Sequence, residues 1–230
     1  MKNRTLLISL VILIVSAAAV AQEHKMVQFQ MAILRKGPQW SAMKPQDRDR
    51  IMSQHRDNVF ALFNSGKIVI AGPFADETDL AGIFILRASA AEARTLVEED
   101  PAVKADLMIE EMHPWYSEDI FRKPTMPLKL SSVYFGFLKK GPNRKDGDGD
   151  KPEIQELQKA HLANINRLAD LKKLVAAGPF GDEGELRGIF VFRVNSLQEA
   201  QDLAATDPMI KIDRLRIELH PWHVPEGVLP

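Results

Sequence analysis

Val69–Leu86 reads VIAGPFADETDLAGIFIL, and Val175–Phe192 reads VAAGPFGDEGELRGIFVF. Two segments this alike point to an internal repeat, and matches continue in order on both sides. Leu34-Arg35-Lys36-Gly37-Pro38 answers to Leu138-Lys139-Lys140-Gly141-Pro142, and His55 answers to His161. Further on, Asp76-Glu77 pairs with Asp182-Glu183, Asp100-Pro101 with Asp207-Pro208, and His113-Pro114-Trp115 with His220-Pro221-Trp222. The offset drifts only from 104 to 107. The chain therefore holds one domain twice, at residues 22–116 and 131–230, with 117–130 as a Pro-containing linker.

Each copy has the same elements. Val27, Phe29, Met31 and Ile33 alternate with Gln28, Gln30 and Ala32, a strand period repeated by Val133, Phe135 and Phe137. A helix follows, with Ile51, His55, Val59 and Leu62 on one stripe and Leu157, His161, Ile165 and Leu168 on its counterpart. Gly66 ends the first helix, whereas Lys172 stands at that place in the second. The quoted segment supplies two strands, a shorter helix begins near Ala90 or Leu197, and a last strand carries His-Pro-Trp. The order is β-α-β-β-α-β, the split βαβ of ferredoxin-like α+β folds. Such a sheet bears helices on one face only. The expectation is thus two ferredoxin-like repeats forming an intramolecular pseudo-dimer, packed through their open sheet faces.

The quoted segment reads as mechanical. Gly admits backbone angles other residues avoid, and Pro fixes φ and ends a ladder. Phe74 and Phe180 anchor the loop, and none of these residues moves a proton.

Composition narrows the function classes. The 230 residues are 45% hydrophobic and 27% charged, with 30 basic against 31 acidic side chains. No field of one sign favours nucleic acid, and no RNA-binding aromatic strand pattern is present. Lys2 and Arg4 precede an apolar run from Leu6 to Val15, and Ala19-Val20-Ala21 follows. This is the pattern of a secretory signal peptide, residues 1–21, and the run is too short for a spanning helix of about 20 residues. Cleavage after Ala21 leaves 28 basic against 31 acidic residues and directs the chain to a periplasm or beyond, without a stable membrane span. The absence of Cys rules out disulfides and a thiolate nucleophile.

The candidate chemistry lies beside the quoted segment. His55 and His161 interrupt apolar stripes, and a buried imidazole left unpaired costs about 1–3 kcal/mol. Asp100 and Asp207 follow the second helix of each copy, on the same side of the sheet. A His–Asp pair fixes the tautomer and makes a competent general acid or base; it equally serves as a packing device, and Asp before Pro equally starts a turn. Glu111 with His113, and Glu218 with His220, share strand faces, but two ligands do not make a metal site. Asp146-Gly147-Asp148-Gly149-Asp150 has the opening of a calcium loop, yet Lys151 and Leu157 stand where Gly and Glu are required. It reads as a solvated insertion.

Taken in order, the Leu-x-x-Gly-Pro strand end, the helical His, Gly-Pro-Phe, Gly-Ile-Phe and Asp-Pro resemble the YCII-related (YciI-like) family over residues 27–116 and 131–223. The resemblance implies a ferredoxin-like fold assembled as a dimeric α/β barrel, and a site built around His55 with Asp100 and His161 with Asp207. It also implies cofactor-free proton transfer on a small cyclic or aromatic ligand, as in a dehydrochlorinase relative or the architecturally similar muconolactone isomerase. Two departures from the family are the leader and the duplication. The competing reading is a non-catalytic ligand-binding or assembly module. A haem held by one His is a third, resting on fold analogy alone. Whether chains associate further is left open.

Overall fold

A computed structural model describes residues 25–230; the leader expected at residues 1–21 lies outside them. Repeat one runs β1 (Met26–Lys36), α1 (Gln39–Ala42), α2 (Pro45–Asn64), β2 (Ile68–Pro73), β3 (Leu80–Leu86), α3 (Ala90–Glu98), α4 (Pro101–Lys104) and β4 (Met108–Glu118). Repeat two runs β5 (Leu130–Lys140), α5 (Pro152–Asp170), β6 (Leu174–Pro179), β7 (Leu186–Phe192), α6 (Leu197–Ala204), α7 (Pro208–Lys211) and β8 (Leu215–Pro225). Each sheet is four-stranded and antiparallel, ordered β2-β3-β1-β4 and β6-β7-β5-β8. The fold is α+β, as the repeat pattern predicts. Strand β4 continues two residues into the expected linker, so the connection between sheets is 119–129.

Strand alternation sorts side chains between two kinds of core. Ala32, Leu34, Phe84 and Leu86 face the helices of their own repeat, as Leu138, Phe190 and Phe192 do in the second. Phe29, Met31, Ile33, Phe135, Phe137 and Ile189 face away from the helices into one cluster shared by both repeats. The sheets do more than stack. Edge strand β2 lies beside β8, and β6 beside β4, joined by bridges between Phe74 and Trp222 and between Trp115 and Phe180. The eight strands therefore enclose a common apolar interior with helices outside.

The quoted segment forms these seams. Ala75 N–H donates to Pro221 O at 2.9 Å, and Gly181 N–H donates to Pro114 O at 2.7 Å. Trp222 Nε1 donates to Gly72 O at 2.8 Å, and Trp115 Nε1 donates to Gly178 O at 3.1 Å. A Cβ on Gly72 would stand 1.8 Å from His223 O, and one on Gly178 would stand 1.8 Å from Tyr116 O. Only glycine lets the repeats meet so closely. The Ala-Gly-Pro-Phe stretch is thus an inter-repeat joint as well as a hairpin end.

Candidate functional site

Helix α2 places His55 against the sheet, where its ring stacks on Phe84 with centroids 5.8 Å apart. Asp100 precedes α4, and its Oδ1 accepts from Ala102 N–H at 2.9 Å, capping that short helix. The same oxygen lies 2.8 Å from His55 Nδ1, and Asn58 Nδ2 donates to Oδ2 at 2.9 Å. Asp100 has no exposed surface. Burial alone pushes its carboxyl upward, but the His55 bond and charge, with Asn58 and the Ala102 amide, outweigh this and hold it below the usual carboxylate range.

Repeat two repeats the pair. His161 Nδ1 lies 2.6 Å from Asp207 Oδ2, Met209 N–H donates to Asp207 Oδ1 at 2.8 Å, and the ring stacks on Phe190. An ionised carboxylate only accepts, so Nδ1 carries a proton, and in the neutral form of the ring Nε2 presents its lone pair. In neither ring does Nε2 bond to a described residue, and neither Nε2 is a fully buried orphan. The structure therefore unites all four residues singled out by sequence, two by two. Asn58 was not anticipated. Its counterpart Asn164 bonds Arg167 and Thr206 instead, so the two pairs differ in their third partner.

A second set crosses the repeats. His113 Nδ1 lies 2.6 Å from Asp182 Oδ2, and His220 Nδ1 lies 2.5 Å from Asp76 Oδ2. Their Nε2 atoms face Glu111 at 3.0 Å and Glu218 at 3.2 Å. With both nitrogens turned to carboxylates, each ring donates twice when protonated and keeps no lone pair for a metal. The Lys139 hydrogen bond, with support from His220, keeps the Glu218 carboxyl below its usual range. Glu111 and Glu218, with Arg35, Lys139, Glu185, Leu80, Leu186 and Phe137, line a cavity of about 250 Å³ at one mouth of the barrel. The repeated Asp76/Asp182 match was the available signal for this set, but partners on opposite repeats have no sequence spacing to betray them.

The insertion at 146–150 does not form a calcium loop: both Asp148 oxygens are held by Arg214, at 2.6 and 2.7 Å. Among the described residues no cluster of three His, Asp or Glu is arranged to hold a metal.

Residues 138–222 match the family model of the YCII-related domain. The second repeat is a YCII-related domain. The first shares its strand order and its His–Asp pair, which makes the chain a tandem YCII-like arrangement. No curated protein matches the chain. Among solved structures it is similar to a chlorite dismutase variant from Candidatus Nitrospira defluvii, with 12% identity, 87% of this chain and 92% of that one covered, and a TM-score of 0.57. It is also similar to a heme-binding protein from Thermus thermophilus, with 14% identity, coverage of 89% and 92%, and a TM-score of 0.51. At these identities the likeness concerns the fold, a barrel of two ferredoxin-like halves. Both coverages show that it spans both YCII-like repeats.

Proposed function

We propose that this tandem YCII-like protein is exported and performs cofactor-free acid–base chemistry on a small cyclic or aromatic molecule, with His55 and His161 as the proton-transferring groups. One observation carries the reading: in each repeat a fully buried carboxylate pins Nδ1 and leaves Nε2 without a protein partner. That arrangement fixes the tautomer a general base needs. Asp100 and Asp207 act as positioning residues. Among the described residues no helix is long and apolar enough to cross a membrane. The leader pattern supports export, and intact mass of the recovered protein tests it: a chain starting at Gln22 is expected, and retained residues 1–21 would count against cleavage.

The chemistry is tested by following solvent deuterium incorporation into a panel of cyclic carbonyl and phenolic compounds by NMR. Exchange is expected with the wild type and not with His55→Gln/His161→Gln, at unchanged circular dichroism. No exchange by the wild type, or equal exchange by the variant, rejects it.

A second reading, a non-catalytic binding or assembly module, is favoured by the double use of each Asp as a helix cap. It predicts that the same variant melts at lower temperature and has no exchange to lose.

The heme of the Thermus protein has no fitting place at these histidines. Both rings lie flat against phenylalanines, and neither the mouth cavity nor the larger groove of repeat two is lined by them. The layer between sheet and helices is filled by apolar side chains.

A further inference from the structure

Repeat two departs from repeat one at three places that meet in space. Arg187 occupies the β7 position where β3 has Ala81, and Arg214 precedes β8 where buried Leu107 precedes β4. The third is the segment after the first strand. In repeat one it forms α1, with Trp40 packed on the helix-layer core. In repeat two it is the loop bearing Arg144 and Lys145. Together with Lys140 and Lys159 these residues line a groove of about 660 Å³.

The cations outnumber their partners. Asp148 is committed to Arg214, and Asp146 approaches Lys140 at 3.4 Å. Arg187 reaches only the carbonyls of Asp182 and Gly184, and Glu183 forms no ion pair with it. Among the described residues, Arg144, Lys145 and Arg187 have no carboxylate within ion-pair distance. The Nε atoms of Arg187 and Arg214 are buried with no hydrogen-bond acceptor, and Arg214 is only 5% exposed. Burial, then the charges of Arg187 and Arg214, lower the pKa of Arg144, so its guanidinium stands against like charge from both. Unsatisfied buried donors and like charges both cost stability. A group that brings negative charge and only lone pairs relieves both at once, and guanidinium forks match the geometry of oxyanions. A divalent cation would add to the repulsion.

We propose that this groove is an oxyanion-binding site of repeat two, taking the phosphate or carboxylate group of a small molecule. Ile154 and Met209 give it an apolar wall for the rest of the ligand. The site stands independently of the acid–base reading. Gln158, which also lines it, lies one helical turn before His161.

The test is calorimetric titration of the full chain at low ionic strength with inorganic phosphate and, separately, benzoate. Saturable binding of at least one anion is expected, weakened by about tenfold or more in Arg144→Gln/Arg187→Ala and by added salt. That variant spares the Arg214–Asp148 pair, and its anion-free melting temperature should stay at or above that of the wild type. Binding of phosphate alone identifies a phosphate-bearing ligand, and binding of benzoate alone a carboxylate. No saturable binding of either, or wild-type affinity in the variant, overturns the proposal.

Discussion

Asp100 uses one carboxylate for two purposes, capping α4 and fixing His55. Because its folded pKa lies below the ordinary 3.8, it stabilises the fold above that pH, and this contribution disappears as pH falls through the folded value. Asp100→Asn keeps a cap-forming side chain but loses the ionic acceptor, at a cost of about 1.5–3 kcal/mol near neutral pH. Urea unfolding of both proteins should show this gap shrinking once pH drops below the ordinary carboxyl range. A gap independent of pH would mean that the charge contributes nothing. This pair was legible from sequence because an imidazole on an apolar stripe demands a partner, and both helices of the repeat lie on one face of the sheet. Asn58 was not legible, since an Asn on a helix looks the same whether it faces solvent or a buried carboxylate.

At the scale of elements, strand and helix periods were readable, but the purpose of the glycines was not. Gly66 has φ of +73° and open space around it, so it serves only to end α2. Gly66→Ala should cost about 1–2 kcal/mol, the penalty of a left-handed L-residue. Lys172 accepts such a conformation at the corresponding turn, with φ of +58°. Gly72 and Gly178 differ because the other repeat's backbone stands where a side chain would go. Neither main chain can yield without breaking the seam bonds of Trp222 or Trp115. Gly72→Ala should therefore cost more than about 3 kcal/mol, beyond ordinary overpacking, in the same denaturant measurement. Equal losses at Gly66 and Gly72 would show that the seam is softer than its geometry. The sequence displayed the repeated phrase but not its partner, because Gly72 and Trp222 are 150 residues apart.

For the whole molecule, duplication predicted a pseudo-dimer, and edge-to-edge closure is what side-chain patterns within one repeat could not specify. The interior is assembled from both sheets, so either repeat alone exposes Phe29 and Ile33, or Phe135 and Phe137, along an open face. The connection also closes the barrel end: Arg122 N–H donates to Val228 O and Thr125 N–H to Glu226 O, with Val228 and Leu229 in the shared core. Joining the halves in one chain makes their meeting intramolecular, at an effective concentration of order millimolar. It also frees each half from self-complementarity, so Arg187 and Arg214 can exist in one copy while Ala81 and Leu107 remain in the other. A separated repeat must cover its open face again, and pairing with its own copy restores the same kinds of contact. Residues 130–230 expressed alone should therefore elute as a concentration-dependent homodimer or precipitate, measured by size-exclusion chromatography with light scattering. Its melting temperature should rise with protein concentration, as expected when folding and association are linked. A soluble monomer that melts at the full chain's temperature would show that each repeat is stable without the shared interior.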